Sequence, residues 1–340
     1  MLEAKVGRER EGSMGERERV CVTGAGGFQG SWLVKLLLSQ GYMVHGTVRD
    51  PGDEKNSHLK NLDKAKENLQ LFKAELLDFD SLCAAIAGCT GVFHLASPVP
   101  IAIGSVCDPE AELIRPALTG TSNVLKACCI VKVRRLVVVS SIGAVTLNPN
   151  WPKGRAMDES CWSDLEYIKV QKLWDSAYCS GKTEAEALAT KVASEGGLDV
   201  VTVCPSIILG PMLQSTLNTS SSWLLQVLNG GLEAMEDTPW MIVDVRDVAE
   251  ALLLVYKKPE AEGRYICSSW QTTAKVLVEK LKSIFPDRSY PKQFTGESAD
   301  WMLSSEKLQT MGWKYRPLEE TLVDSFKSYC EKGLLITDDV

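Results

Sequence analysis

Apolar runs short enough for strands trade places with helical stretches from Arg19 to Ser206, and that alternation limits the fold more than any other feature of the chain. "RVCVTGA" precedes the helical pattern "FQGSWLVKLLLSQG", "YMVHGTVR" precedes "KNSHLKNLDKAKEN", and "LQLFKAEL" precedes "SLCAAIAGC". "GVFHLASP" precedes a long helix expected over Ala111–Cys129. "RRLVVVSS" is followed, after a loop, by the helix "AYCSGKTEAEALATKVASEGG" and the strand "LDVVTVCPS". Strands alternating with helices imply βαβ units and a parallel sheet covered on both faces, hence a doubly wound α/β fold. The alternation loosens after Gly210, where a smaller C-terminal substrate-binding lobe is expected. The expected division is a disordered arm over 1–18, a dinucleotide-binding domain over 19–205, and mainly the substrate lobe over 206–340, with segments returning to the first domain.

Charge and composition remove several function classes. With a net charge of −7 the chain has no basic field, so nucleic acid and anionic membrane surfaces are not expected partners. It has no 18-residue apolar run to span a bilayer. The opening "MLEAKVGREREGSMGERER" lacks the apolar segment of a signal peptide, and Met14 is a candidate natural start. Eleven cysteines contain no CxxC pair and accompany three histidines, so neither a structural metal nor a disulfide framework is expected. A reducing, cytoplasmic setting fits that usage.

The strongest local signal is "VTGAGGFQG", which sets Gly24, Gly27 and Gly30 in GxxGxxG spacing between the first strand and the first helix. Glycine there lets the backbone approach a pyrophosphate, and the helix N-terminus, at Phe28 and Gln29, supplies free N–H groups for the anion. Gln29 stands where an aliphatic residue is usual, but all three glycines are present. This is the Rossmann type of dinucleotide turn. The second strand ends in Arg49, with Lys55 six residues later, a pair suited to the 2′-phosphate of NADP. Asp50 is the contrary datum, because a carboxylate near that strand end suits a ribose hydroxyl. NADP is the expected cofactor.

"SAYCSGK" places Tyr178 four residues before Lys182, on one helix face. Free tyrosine is a reluctant acid, and a nearby ammonium is expected to lower its pKa. "VVVSSIG" ends a buried strand with Ser140 and Ser141, at the carboxyl edge where ligands bind in open α/β sheets. A hydroxyl there can hold a substrate carbonyl as its oxygen gains charge. Singly, each feature also suits strand-end capping or a solvated helix pair; in order after a dinucleotide turn they point to hydride chemistry.

With these motifs in hand, the chain resembles the extended short-chain dehydrogenases/reductases, and among them the plant cinnamoyl-CoA reductase and dihydroflavonol reductase group. The resemblance runs from about Val20 to about Lys332, through stretches such as "GTVRDPGDEKNSHL", "DESCWSDLEY", "CPSIILGPMLQSTLNTS" and "VDVRDVAEALLLV". It implies Ser141 as the carbonyl-orienting donor, Tyr178 as the proton donor and Lys182 as its partner. It also implies Arg49 and Lys55 at the NADP phosphate, Leu77 and Asp78 near the adenine, Ala96 and Ser97 along the dinucleotide, and Pro205 and Ser206 near the nicotinamide. The expected reaction is reduction by NADPH of a carbonyl or thioester carbon in an aromatic, phenylpropanoid-like substrate. A ketone, aldehyde or dihydroflavonol reductase is the alternative, and a non-catalytic NADPH sensor or scaffold is a third reading.

Departures from the group fall around the substrate. Cinnamoyl-CoA reductases carry Lys-Asn-Trp-Tyr-Cys-Tyr-Gly-Lys where this chain reads "KLWDSAYCSGK", and Thr146 stands where dihydroflavonol reductases carry Asn. A small aromatic substrate, in one form a CoA ester, calls for an apolar pocket with few polar anchors. The candidates are Ile142, Thr146, Trp174, Leu213, Leu217 and Trp223, with Lys153, Lys169 and Lys172 as cations for CoA phosphates. Oligomeric state is not legible.

Overall fold

A computed structural model describes residues 17–99, 106–171, 175–230, 232–296 and 302–335. Its strands are β1 (Arg19–Thr23), β2 (Met43–Val48), β3 (Leu69–Lys73), β4 (Gly91–His94), β5 (Arg135–Val139), β6 (Val200–Pro205), β7 (Ile207–Leu209), β8 (Ala234–Glu236), β9 (Pro239–Asp244), β10 (Gly263–Cys267), β11 (Trp270–Thr273) and β12 (Gln293–Thr295). Its helices are α1 (Phe28–Ser39), α2 (Ser57–Lys60), α3 (Ala65–Asn68), α4 (Phe79–Ile86), α5 (Arg115–Val131), α6 (Leu165–Gln171), α7 (Ser176–Ser194), α8 (Thr219–Leu228), α9 (Val245–Lys257), α10 (Ala274–Ile284), α11 (Glu306–Thr310) and α12 (Leu318–Glu331).

Seven strands form one parallel sheet in the order β10-β6-β5-β4-β1-β2-β3. All but the edge strand β3 bury both faces, as the apolar runs required, and they divide their side chains by simple alternation. Val20 and Val22 of β1, Val137 and Val139 of β5, and Val201 and Val203 of β6 join the core under α1 and α9. Cys21, Leu136, Val138 and Val200 face the opposite core, with Leu82, Val124, Leu125 and Ala189 from α4, α5 and α7. Order reverses between β1 and β4, so the loops after these two strands diverge and leave a crevice at the carboxyl edge. After Pro205 the chain builds a three-stranded sheet, β11-β9-β7, and a two-stranded one, β12-β8, before and after β10 joins the main sheet beside β6.

Two helical expectations change in detail. The stretch from Lys55 to Asn68 is a 3₁₀ turn at Glu54–Asn56 followed by the short α2 and α3. Lys64, left-handed at φ 60°, breaks the run, and no single helix can continue through that backbone. The long fourth-unit helix begins with one wide turn, Glu110–Ile114, before α5 proper. The expected N-terminal arm lies outside the described residues up to position 16. Arg17 and Glu18, also assigned to that arm, bond into the fold: Arg17 donates to Asn68, and Glu18 accepts from Tyr256 Oη at 2.6 Å and Arg134 at 2.7 Å.

Candidate active site

The glycine turn is built by close packing. Gly24 has φ +69°, a left-handed conformation, and a Cβ there would also lie 3.1 Å from Ala96 Cα at the start of the β4 loop. A Cβ on Gly30 would fall 2.2 Å from the Gly24 carbonyl oxygen, so the first turn of α1 can sit on the strand only without a side chain. Gly27 caps α1 with no side-chain acceptor, leaving the first-turn N–H groups around Phe28 and Gln29 to an anion. Gln29 does not disturb the helix, although its Oε1 is buried without a hydrogen-bond partner. A cradle that a methyl group would fill, above an uncapped helix end, fits a dinucleotide pyrophosphate.

Around the turn, the loop after β2 is held firmly. Arg49 and Asp50 are exposed at the strand end. Asp50 accepts from Gly52 N at 2.8 Å, and Asn56 Nδ2 donates to the Asp50 carbonyl at 2.9 Å, so the Asp50 carboxylate is engaged in its own turn. Lys55 Nζ pairs with Asp53 at 2.6 Å on the surface. His58 bridges the loop to α1: its Nδ1 meets the Lys55 carbonyl at 2.9 Å and its Nε2 meets Ser31 Oγ at 2.7 Å. The first of these fixes the proton on Nδ1, since a carbonyl can only accept. Leu77 is exposed beside Asp78, which caps α4 by accepting from Ser81 N at 3.2 Å. Ala96 and Ser97 are half-buried on the β4 loop, and Ser206, after Pro205, has a buried hydroxyl with no partner.

β5 delivers the two serines to different places. Ser140 Oγ donates to Glu186 at 2.6 Å. Ser141 caps the next turn, accepting from Gly143 N at 3.1 Å, with its hydroxyl beside the Tyr178 phenol. Tyr178 and Lys182 rise from adjacent turns of α7. Lys182 is buried, its Nζ donates to the Val139 carbonyl at 3.0 Å, and it lies 5.9 Å from the Tyr178 ring centroid. Burial pushes the Tyr178 phenol up to about 12, opposed by the Ser141 hydroxyl. The ammonium is turned onto a strand carbonyl, and desolvation outweighs what lowers the phenol's pKa. Burial also holds Lys182 down to about 8, with Glu186 opposing the shift.

Beneath this group lie polar residues that sequence reasoning missed. Leu95 N and Ala96 N both donate to Thr23 Oγ1 at 3.1 Å, so the Thr23 hydroxyl donates to His94 Nδ1 at 2.9 Å. His94 is neutral, its pKa driven to about 3 by burial, and its Nε2–H meets Thr121. Glu186 and Arg264 form a buried ion pair at 2.7 Å. A lone arginine inside the apolar strand "GRYIC" was a usable signal; the buried fate of Glu186, in a helix with several other charges, was not.

The substrate candidates are less convergent. Ile142 packs on a small core with Val145, Met157 and Met241, and the Thr146 hydroxyl donates to the Ile142 carbonyl at 3.1 Å. Leu213 is half-buried, whereas Leu217 and Trp223 pack against the main core. Lys169 is exposed and paired with Glu166 at 2.8 Å, and Lys153 is exposed. Trp174 and Lys172 lie outside the described residues. No helix among the described residues is long and apolar enough to cross a membrane, and no cluster of metal-ligating groups occurs among them.

Known proteins share this family and fold. Residues 20–267 match the model of the NAD dependent epimerase/dehydratase family. The chain is 44% identical over 320 residues to cinnamoyl-CoA reductase 1 of Petunia hybrida, covering 93% of each chain. Vestitone reductase from alfalfa has a similar structure, with TM-score 0.81 and 33% identity over 94% of this chain and all of that one. Yeast methylglyoxal/isovaleraldehyde reductase Gre2, solved with NADPH, superposes with TM-score 0.77 at 25% identity, over 93% of this chain and 100% of that one.

Proposed function

The chain belongs to the NAD dependent epimerase/dehydratase family, and we propose that within it this enzyme is an NADPH-dependent reductase of a carbonyl or acyl-CoA thioester carbon on an aromatic, phenylpropanoid-like substrate. The observation that carries the reading is the meeting of Ser141, Tyr178 and Lys182 at the carboxyl edge, beside the glycine cradle. When bound, NADPH supplies the hydride. Ser141 holds the acceptor oxygen, and Tyr178, kept protonated by its burial, gives that oxygen a proton. Lys182 provides a buried cation beside Tyr178 and the cofactor ribose. Arg49 and Lys55 hold the 2′-phosphate, which is supported by the engagement of Asp50 in its own turn. Leu77 and Asp78 border the adenine, and Ala96, Ser97, Pro205 and Ser206 follow the dinucleotide toward the nicotinamide. Ile142 and Thr146, on the turn that follows Ser141, and Leu213 are the proposed pocket residues.

A second reading, reduction of a ketone or aldehyde on a flavonoid-like skeleton, is favoured by the likeness to vestitone reductase and by the altered residues ahead of Tyr178. A sensor without chemistry is disfavoured, since it has no need of the Tyr178 acid. A reducing, cytoplasmic setting belongs to the same proposal, supported by eleven free cysteines. NADPH oxidation against hydroxycinnamoyl-CoA thioesters, aromatic aldehydes and dihydroflavonols separates the readings. Turnover of CoA esters or of aromatic phenylpropanoid aldehydes upholds the first; turnover of dihydroflavonols or other flavonoid-like ketones alone replaces it with the second.

A further inference from the structure

Under the Ser141–Tyr178–Lys182 group sits a buried carboxylate to which the proposed chemistry assigns no role. Glu186 is 1% exposed and lies one helical turn beyond Lys182 on α7, on the same face. The two side chains line one small cavity together with His94, Thr121 and Ser140. The partners of Glu186 come from three strands: Ser140 after β5 at 2.6 Å, Thr202 of β6 at 2.9 Å, and Arg264 of β10 at 2.7 Å. Arg264 is itself committed elsewhere, donating to the carbonyls of Ala144, Glu159 and Cys161 and stacking 3.6 Å above the Trp162 ring.

We infer that Glu186 is a positioning residue for the reduction: its charge keeps Lys182 an ammonium, and its bond to Ser140 fixes the end of β5 so that Ser141 meets Tyr178. This rests on the proposed role of Lys182 toward cofactor and tyrosine. A buried lysine loses its proton easily unless an anion stands near. The groups facing Lys182 are few. Tyr178 and Glu186 come from its own helix, neutral His94 from β4, and Cys204 from β6, whose thiol burial pushes well above its ordinary range. Arg264, from β10, reaches Glu186. Glu186 is thus the carboxylate that offsets the burial of Lys182, and it does so beside a serine whose neighbour orients the substrate.

The test is Glu186→Gln, which keeps the shape and can still accept from Ser140. NADPH binding followed by fluorescence, and kcat/KM, are measured from about pH 6 to about pH 10. Loss of the charge lets Lys182 deprotonate earlier, so the alkaline loss of both quantities should move down by about one pH unit. Glu186→Asp, which keeps the charge, should return the limb toward its original position. A slower Gln variant whose limb has not moved in either measurement overturns the inference, because a purely structural role predicts that result. Gln at 186 leaves Arg264 without its counter-charge. If the single variant does not fold, Glu186→Gln/Arg264→Gln, neutral at both places, should show the same downward shift, and an unmoved limb there overturns the inference equally. Lys182→Met separates the two levels of argument. If Lys182→Met retains the wild-type limb in NADPH binding, the reading of Lys182 falls and this inference with it. If the limb disappears with Lys182→Met yet ignores Glu186→Gln, the role of Glu186 alone falls.

Discussion

Ser140 and Ser141 are adjacent in sequence and face different partners: Ser140 donates to the buried carboxylate of Glu186, while Ser141 accepts from Gly143 N beside the Tyr178 phenol. The strand's alternation makes this unavoidable, since successive side chains leave opposite faces. Substitution can therefore separate them. Ser141→Ala should cut kcat by about 100-fold, the scale of one lost oxyanion donor, with little change in thermal stability. Ser140→Ala should act mainly on stability, destabilising by about 1–3 kcal/mol as a buried carboxylate loses a donor, with a smaller loss of rate because the end of β5 is held less firmly. Melting curves and initial rates on both variants decide it, and equal rate losses would erase the distinction.

Tyr178→Phe removes the proton donor and keeps the ring. Activity should fall about 100-fold or more, as for loss of a general acid, with NADPH affinity nearly unchanged. A Phe variant turning over at close to the wild-type rate would refute the assignment.

The 2′-phosphate contacts can be titrated directly. Arg49→Ala should weaken NADPH binding by about one to two orders of magnitude, the scale of a charge-assisted hydrogen bond, and leave NADH little affected. Lys55→Ala should act in the same direction. Since Asp53 holds Lys55 at 2.6 Å, Asp53→Asn should free that ammonium and tighten NADPH a few-fold, a small effect because the pair is exposed. Equal weakening of both cofactors by Arg49→Ala would return the question to Asp50.

Gly30→Ala tests the cradle. Its Cβ would press on the Gly24 carbonyl at 2.2 Å, a backbone atom with nowhere to go. The expected result is a loss of about 1–3 kcal/mol in stability, the usual range for overpacking, together with loss of measurable dinucleotide binding. Wild-type calorimetric binding in a folded Ala variant would show that the turn does not need that closeness.

Charge reversal at Lys169 addresses the CoA ester. If its exposed ammonium meets the ester's phosphates, Lys169→Glu should raise KM for a CoA thioester and leave turnover of the matching free aldehyde unchanged. Identical KM values for the ester would eliminate Lys169 from such a site.

The sheet, the glycine turn and the Ser-Tyr-Lys arrangement were legible because each depends on local pattern. Period, spacing and strand-end position are written in runs of a few residues. The broken helix between Lys55 and Asn68 was not legible, because its composition is helical and the interruption is a backbone choice at Lys64. Nor was the direction of Lys182, which a carbonyl of the neighbouring strand decides. Glu186 and Arg264 meet across 78 positions of sequence, and nothing near either names the other.

That meeting has a consequence for how the protein is made. β6 is complete at Pro205, but β10, which covers its open edge and brings Arg264, begins at Gly263. While the ribosome is still adding the intervening residues, α7 holds a carboxylate whose counter-ion has yet to be synthesised, and β6 presents an unpaired edge. The nucleotide-facing half therefore cannot finish folding as the chain emerges. It waits for its last strand, and during that interval a chaperone or a neighbouring nascent chain can engage the exposed edge.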